Sequence, residues 1–274
     1  MLLVTGVRAR NNVQVYGPAD GPVLLFAHGF GTDQGMWGKI LPHFIDRYRV
    51  VLFDHVGSGQ SDQSAYASDR YSDLQAYVND LLEICADLEL RDVTLIGHSV
   101  GAMMAVSAAT QDVQGRLSRL VLLAASPSYL DHPDDGYVGG FSRQDLDELF
   151  ESLDANYVVW ANAMSPVFMN APHAPDLDRE IQGSFCRINP RIGRDFARVA
   201  FLSDVRHLLG QIRIPVQVLQ SSDDVVTPFH VGTYLHQGIK DSVLTRLTAT
   251  GHFPQSSAPE ETAAAMLNYL QPAT

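Results

Sequence analysis

The pentapeptide GHSVG, Gly97 to Gly101, sets one serine between glycines where an apolar run, VTLIG, meets an alanine-rich one, AMMAVSAA. It fits G-x-S-x-G, the sharp strand-to-helix turn that exposes a nucleophilic serine above the end of a strand. Small glycines on either side relieve the crowding of such a turn. The serine then stands at the foot of a helix, where unpaired amides and the positive end of the helix dipole favour a developing anion. The blander alternative is a glycine-softened turn with a capping serine. The strand-helix setting favours the nucleophile at Ser99.

A serine hydroxyl attacks poorly at neutral pH unless a base takes its proton and an acid orients that base. The chain order for this kind of elbow is Ser, then Asp or Glu, then His. That order, with local context, sorts the ten histidines. His28, His43, His55 and His98 precede Ser99. His230 and His236 lie on different faces of a helix opened by Pro228, so they make neither a base nor a metal pair. His132, His173 and His207 fall in a region read as a cap. His252 remains, in TATGHFPQ, a glycine-preceded loop after the last predicted strand. For the acid, VQVLQSSDDVVTP offers Asp223 and Asp224, and spacing leaves both open, since one of the pair would serve as a turn cap. Donors for an oxyanion come from AHGFG, Ala27 to Gly31, where the Phe30 amide points toward the same spot as the Val100 amide. His28 braces that loop. No metal or organic cofactor is required by this chemistry.

These side chains need a scaffold, and the chain alternates short apolar runs with longer helical patterns. The runs read as strands are Val23 to Ala27, Arg49 to Asp54, Val93 to Gly97, Leu120 to Ala125, Val216 to Gln220 and Val243 to Thr248. Nearly all-apolar strands are buried on both faces, and their alternation with helices predicts a parallel α/β sheet. Between them, Leu74, Val78, Leu81, Leu82, Cys85 and Leu88 form a 3.6-residue stripe that predicts an amphipathic helix. From about residue 127 to 210 the alternation stops and the text becomes helical and aromatic. The predicted organisation is a core over 1–126, a helical cap over 127–210 and the rest of the core over 211–274. The cap covers the carboxyl end of the sheet, where ligands bind in open α/β folds.

Composition excludes other classes. With 274 residues and 46% hydrophobic content, the chain can bury one large core. Its 19 Lys+Arg against 31 Asp+Glu give a net charge of −12, which supplies no basic footprint for nucleic acid or anionic lipid. No window approaches the apolar length that spans a bilayer, and the amino end lacks a signal pattern. The expectation is a cytoplasmic protein whose cysteines, Cys85 and Cys186, are free thiols.

Taken in order, AHGFGTDQGMW, VVLFDHVGSGQSD, GHSVGAMM, SPSYL, GGF and GHFPQSSAPE resemble an α/β-hydrolase family. It contains the Bacillus stress-response regulator RsbQ and the plant karrikin and strigolactone receptors. The similarity runs through nearly the whole chain, and DHVGSGQSD and QSSDDVVTP lie nearer the bacterial branch. The resemblance implies an α/β-hydrolase fold with a V-shaped cap of four helices. It implies a triad of Ser99, Asp224 and His252, the acid matching the second aspartate of the pair, and an oxyanion hole from the amides of Phe30 and Val100. It also implies a hydrophobic pocket lined by Phe30, Phe141, Trp160, Met164 and Phe201. Met164 stands where the receptors carry an aromatic, which gives a more adaptable wall.

The function expected is hydrolysis of a small hydrophobic ester or lactone through an acyl-enzyme. Two alternatives accompany it. One is a ligand sensor with slow or single-turnover hydrolysis that recruits a signalling protein, with a PAS-containing phosphatase as the partner implied by the RsbQ resemblance. The other is a carbon-carbon bond or enol-lactone hydrolase using the same triad.

Overall fold

The computed structural model describes residues 6–171 and 174–271; the first five residues and His173 lie outside the described residues. Seven strands form one sheet in the order β1-β3-β2-β4-β5-β6-β7. They are β1 (Gln14–Tyr16), β2 (Val23–Ala27), β3 (Arg49–Leu52), β4 (Val93–His98), β5 (Leu117–Leu123), β6 (Val216–Gln220) and β7 (Ser242–Arg246). Every pairing is parallel except that of β1 with β3. Strands β4 and β6 are buried along their whole length, as largely apolar strands of a parallel sheet are.

The six predicted strands are present, with ends moved by a few residues, and β1 is an addition. Its three residues are all exposed and carry no apolar alternation, so nothing in their pattern marks a strand. The predicted amphipathic helix is α2 (Leu74–Asp87), capped at its amino end by Asp73, whose carboxylate accepts from the Gln75 amide. It follows a single-turn helix, α1 (Val7–Arg10). Behind the serine runs α3 (Val100–Gln111), buried continuously from Val100 to Ala108. A helix apolar on all sides belongs inside the protein, and this one packs against β4, β5 and α2.

Between β5 and β6 the chain leaves the sheet and forms α4 (Arg143–Ala155), α5 (Tyr157–Met169), α6 (Pro175–Arg187) and α7 (Pro190–Leu202). This is the helical cap. Each helix starts on a local signal: a Ser142 and Asp145 capping box for α4, Asn156 for α5, and proline in the first turn of α6 and α7. The chain then returns through β6, α8 (Phe229–Gly238) and β7, a short turn α9 (Pro254–Ser257) and α10 (Pro259–Leu270). Among the described residues no helix is long and apolar enough to cross a membrane. Cys85 is a buried free thiol and Cys186 an exposed one.

Candidate active site

Parallel strands point their carboxyl ends one way, and the loops leaving β2, β4, β5, β6 and β7 meet there. Ser99 sits on the turn between β4 and α3 with φ 56° and ψ −123°, a conformation that strains a residue with a side chain. Both motif glycines are required by space. A Cβ on Gly97 would stand 2.4 Å from the Gly101 carbonyl oxygen, and one on Gly101 would stand 2.5 Å from that of Ala27. The turn therefore closes tightly onto the end of β2. The amide of Ser99 donates to the Leu123 carbonyl, which ties the elbow to the neighbouring strand.

Three side chains from distant parts of the chain converge at this point. The Ser99 Oγ lies 2.8 Å from His252 Nε2, and His252 Nδ1 lies 2.8 Å from Asp224 Oδ2. With Nδ1–H donating to the carboxylate, Nε2 is left to accept from the serine hydroxyl. Asp224 is buried and accepts further hydrogen bonds from the Val226 and Thr227 amides and the Thr227 hydroxyl. Burial alone would raise its carboxyl. The His252 imidazole and these donors outweigh burial and hold it below the usual carboxylate range. Asp223 turns the other way: its side chain is exposed, and its carbonyl accepts from the Gly251 amide.

The loop after β2 reaches the serine from the opposite side. A Cβ on Gly29 would stand 3.1 Å from that of Ser99, so the backbone leading to Phe30 runs directly against the nucleophile. Among the described residues no carbonyl accepts from the Phe30 amide, and the Val100 amide opens α3 where no helical acceptor precedes it. Two buried histidines hold this loop. His55 Nε2–H donates to the His28 carbonyl, the His55 amide donates to His28 Nε2, and His28 Nδ1–H donates to the Gly29 carbonyl. His28 is thus the brace expected of it, and His55 is its partner.

Above these groups is a small cavity whose walls are mostly aromatic. Phe30 and Phe201 line it, together with Phe168 and Phe185 of the cap and Val226 and Phe253 beside the acid and the base. Phe141, Trp160 and Met164 do not line it, contrary to expectation. Trp160 packs behind Phe30 and Phe185, Phe141 backs Phe201, and Met164 is half-buried against the core. Trp160 and Phe141 thus form a second layer behind the lining rings, and in Trp160's case the buried face of its cap helix is wider than the part that meets the cavity.

The sequence reading also missed Tyr129. On the loop after β5, its hydroxyl lies 2.9 Å from Ser99 Oγ, with the ring packed against Phe201. Since Ser99 donates to His252, Tyr129 is the donor in this pair. Burial pushes its hydroxyl pKa up, against the smaller opposing effect of Ser99, so the proton stays on the ring oxygen. A tyrosine two residues after Pro127, at the carboxyl end of a central strand, was the only available signal.

A family model described as the alpha/beta hydrolase fold matches residues 22–259. The chain is 36% identical over 266 residues to a probable esterase of Oryza sativa subsp. japonica, covering 97% of both chains. It is 34% identical over 267 residues to a karrikin insensitive 2 receptor of Petunia hybrida, covering 96% of this chain and 97% of that one. Among solved structures, a hydrolase from Oleispira antarctica superposes with a TM-score of 0.92 at 38% identity, covering 97% of each chain. A parallel sheet with β1 reversed, an inserted four-helix cap and a serine elbow after β4 agree with what these comparisons establish: the chain belongs to the α/β-hydrolase family.

Proposed function

We propose that this chain is a serine hydrolase that cleaves a small, largely apolar ester or lactone through an acyl-enzyme on Ser99. The observation that carries this reading is the unbroken relay from Ser99 through His252 to Asp224, with 2.8 Å at each step, on the floor of an apolar cavity. His252 Nε2 takes the hydroxyl proton as Oγ attacks the carbonyl carbon, and Asp224 steadies the imidazolium that forms. The Phe30 and Val100 amides receive the developing oxyanion. As the tetrahedral adduct collapses, His252 returns the proton to the leaving oxygen. Water then attacks the acyl group with His252 again as base, and Ser99 is released. Tyr129 donates to Ser99 Oγ in the resting enzyme.

The cavity sets the substrate class. Its lining holds no Asp, Glu, Lys or Arg side chain, so a charged acyl group would lose its hydration without compensation. The rings of Phe30, Phe168, Phe185, Phe201 and Phe253 close around the Ser99 hydroxyl, which favours a short acyl chain over a long one. Acetyl and butyryl aryl esters are expected to be turned over with kcat/KM about tenfold or more above an octanoyl ester. Nitrophenolate release across a p-nitrophenyl ester series checks this, and a preference for octanoyl would contradict it.

The two neighbouring aspartates give a sharper test. Asp224→Asn removes the charge that orients His252 and should lower kcat by about 10,000-fold, the size known for this change in a Ser-His-Asp triad. Asp223→Asn, at an exposed position, should leave kcat within about twofold. Equal losses in the two variants would mean that the acid is assigned to the wrong residue.

A second reading is favoured by one contact and by the relatives. The His252 amide donates to the Phe168 carbonyl of α5 at 2.7 Å, so the cap touches the base through the backbone. A ligand that moved the cap would move His252, as a sensor requires, and one relative is named as a receptor. In this reading the partner is a signalling protein, with bacterial stress signalling through a PAS-containing phosphatase as the RsbQ-like form. Turnover separates the two: many cycles per protein support the hydrolase, and one cycle with a retained adduct supports the sensor.

A further inference from the structure

His98, the residue before the nucleophile, is buried and takes no part in the relay. Its Nε2 lies 2.7 Å from the backbone carbonyl oxygen of His252, and its Nδ1 has no hydrogen-bond partner. The ring stacks on Phe253 with centroids 5.2 Å apart and meets Trp37 edge-on. A Cβ on Gly29 would stand 2.6 Å from Nδ1, so the loop before Phe30 closes over that side of the ring. Only one tautomer satisfies this setting: Nε2 carries the proton and donates to the carbonyl, while Nδ1 is bare.

The two backbone polar groups of His252 are therefore tied in opposite directions. Its amide donates to Phe168 on the cap, and its carbonyl accepts from His98 on the nucleophile's own turn. Ser99 and His98 are adjacent in the chain, so the contact fixes the distance between the nucleophile's backbone and the base's backbone. The side-chain hydrogen bond between them then requires no search.

We infer that His98 is a positioning residue for the base, a neutral Nε2–H donor that holds the His252 backbone in register with Ser99. This rests on the triad reading above. A protonated imidazole is not needed and would not suit the site: burial, then the neighbouring His252, lowers the His98 pKa to about 3. The residue's value lies in where its one proton sits, at the distal nitrogen.

That geometry defines the test. Glutamine places an amide N–H near the position of Nε2, whereas asparagine reaches only as far as Nδ1, where no partner waits. With p-nitrophenyl acetate, His98→Asn is expected to lower kcat by about 10- to 100-fold, the scale of a sub-ångström to ångström misplacement, with KM within about twofold. His98→Gln is expected to recover kcat to within about threefold of wild type. Asparagine at full kcat, or glutamine as slow as asparagine, overturns the proposal. If neither variant folds, imidazole nitrogen NMR of the wild-type protein decides: an Nε2-protonated neutral ring at His98 supports it, and an Nδ1-protonated or charged ring overturns it. The two readings fail separately, because wild-type hydrolysis that persists in Ser99→Ala sinks the triad, whereas Ser99-dependent hydrolysis at full rate in His98→Asn sinks only the positioning role.

Discussion

Ser99→Ala is expected to lose at least about 10,000-fold in kcat for a short aryl ester while keeping the fold and the cavity. The loss is large because the other groups act through this oxygen. His252 Nε2 and the Tyr129 hydroxyl both address Oγ, and the Phe30 and Val100 amides serve an oxyanion that forms only after Oγ attacks. Some rate above water survives, since the amides and the cavity still bind a carbonyl that free water can reach. Stability should change little. Alanine occupies the same strained φ of 56° as serine does, and among the described residues the deleted oxygen hydrogen-bonds to two side chains. Initial rates and thermal melts on the same preparations check both halves. A variant that folds and retains more than about 1% of the wild-type rate would place the nucleophile elsewhere.

Acid is expected to destabilise this protein before its carboxylates are protonated. His28, His55 and His98 are buried, and in each case burial is the largest influence lowering the pKa in the folded state. In the unfolded chain each takes up a proton near about pH 6.5. Below that pH the unfolded state binds more protons than the folded state, so stability falls as pH falls. For His98 the decline continues to about pH 3, where the folded protein is also protonated. Each histidine contributes a slope of up to about 1.4 kcal/mol per pH unit. His98 alone should remove about 1 kcal/mol between about pH 6.5 and 5.5, roughly 2–4 °C in Tm, and His28 and His55 add to the loss in the same direction.

Carboxylates modify this only at lower pH. Asp224 and Asp33 have lowered pKa values, so the stability they contribute is present above the ordinary carboxylate pKa and is lost below it. Asp80 works in the opposite sense: burial raises its carboxyl despite hydrogen bonding to Tyr71 and pairing with Arg10 and Arg70. Thermal melts followed by circular dichroism across this range test the argument. A Tm that stays flat from about pH 7 to 5 would mean that the three rings are charged, or reached by water, in the folded state.

The sequence carried some of this site clearly and some not at all. Ser99 was legible because its signal is local: five residues at a strand-helix junction contain the whole turn. The sheet was legible because its central strands are buried on both faces and are written as largely apolar runs. The acid was not separable from its neighbour by spacing. Which of Asp223 and Asp224 points inward is decided by the Val226 and Thr227 donors, a matter of side-chain direction within one tight turn. Resemblance, and not residue physics, had selected Asp224.

The cavity lining was the least legible part. Helical periodicity identifies a buried face, and Trp160 and Phe168 both lie on the buried side of α5. Only the angle of the helix on the core decides that Phe168 meets the cavity while Trp160 packs behind it. The supporting roles of His55 and His98 were hidden for a similar reason. Each acts on the backbone of a residue far away in the chain, and no local pattern marks such a contact.

The most direct test of the account is the mass of the intact protein, quenched in acid within the first turnover of an aryl acetate. An increment of one acetyl group, located by peptide mapping to Ser99 and absent from Ser99→Ala, is the predicted result. Hydrolysis that proceeds with no acylated protein at any time, or with the acyl group on another residue, would contradict it.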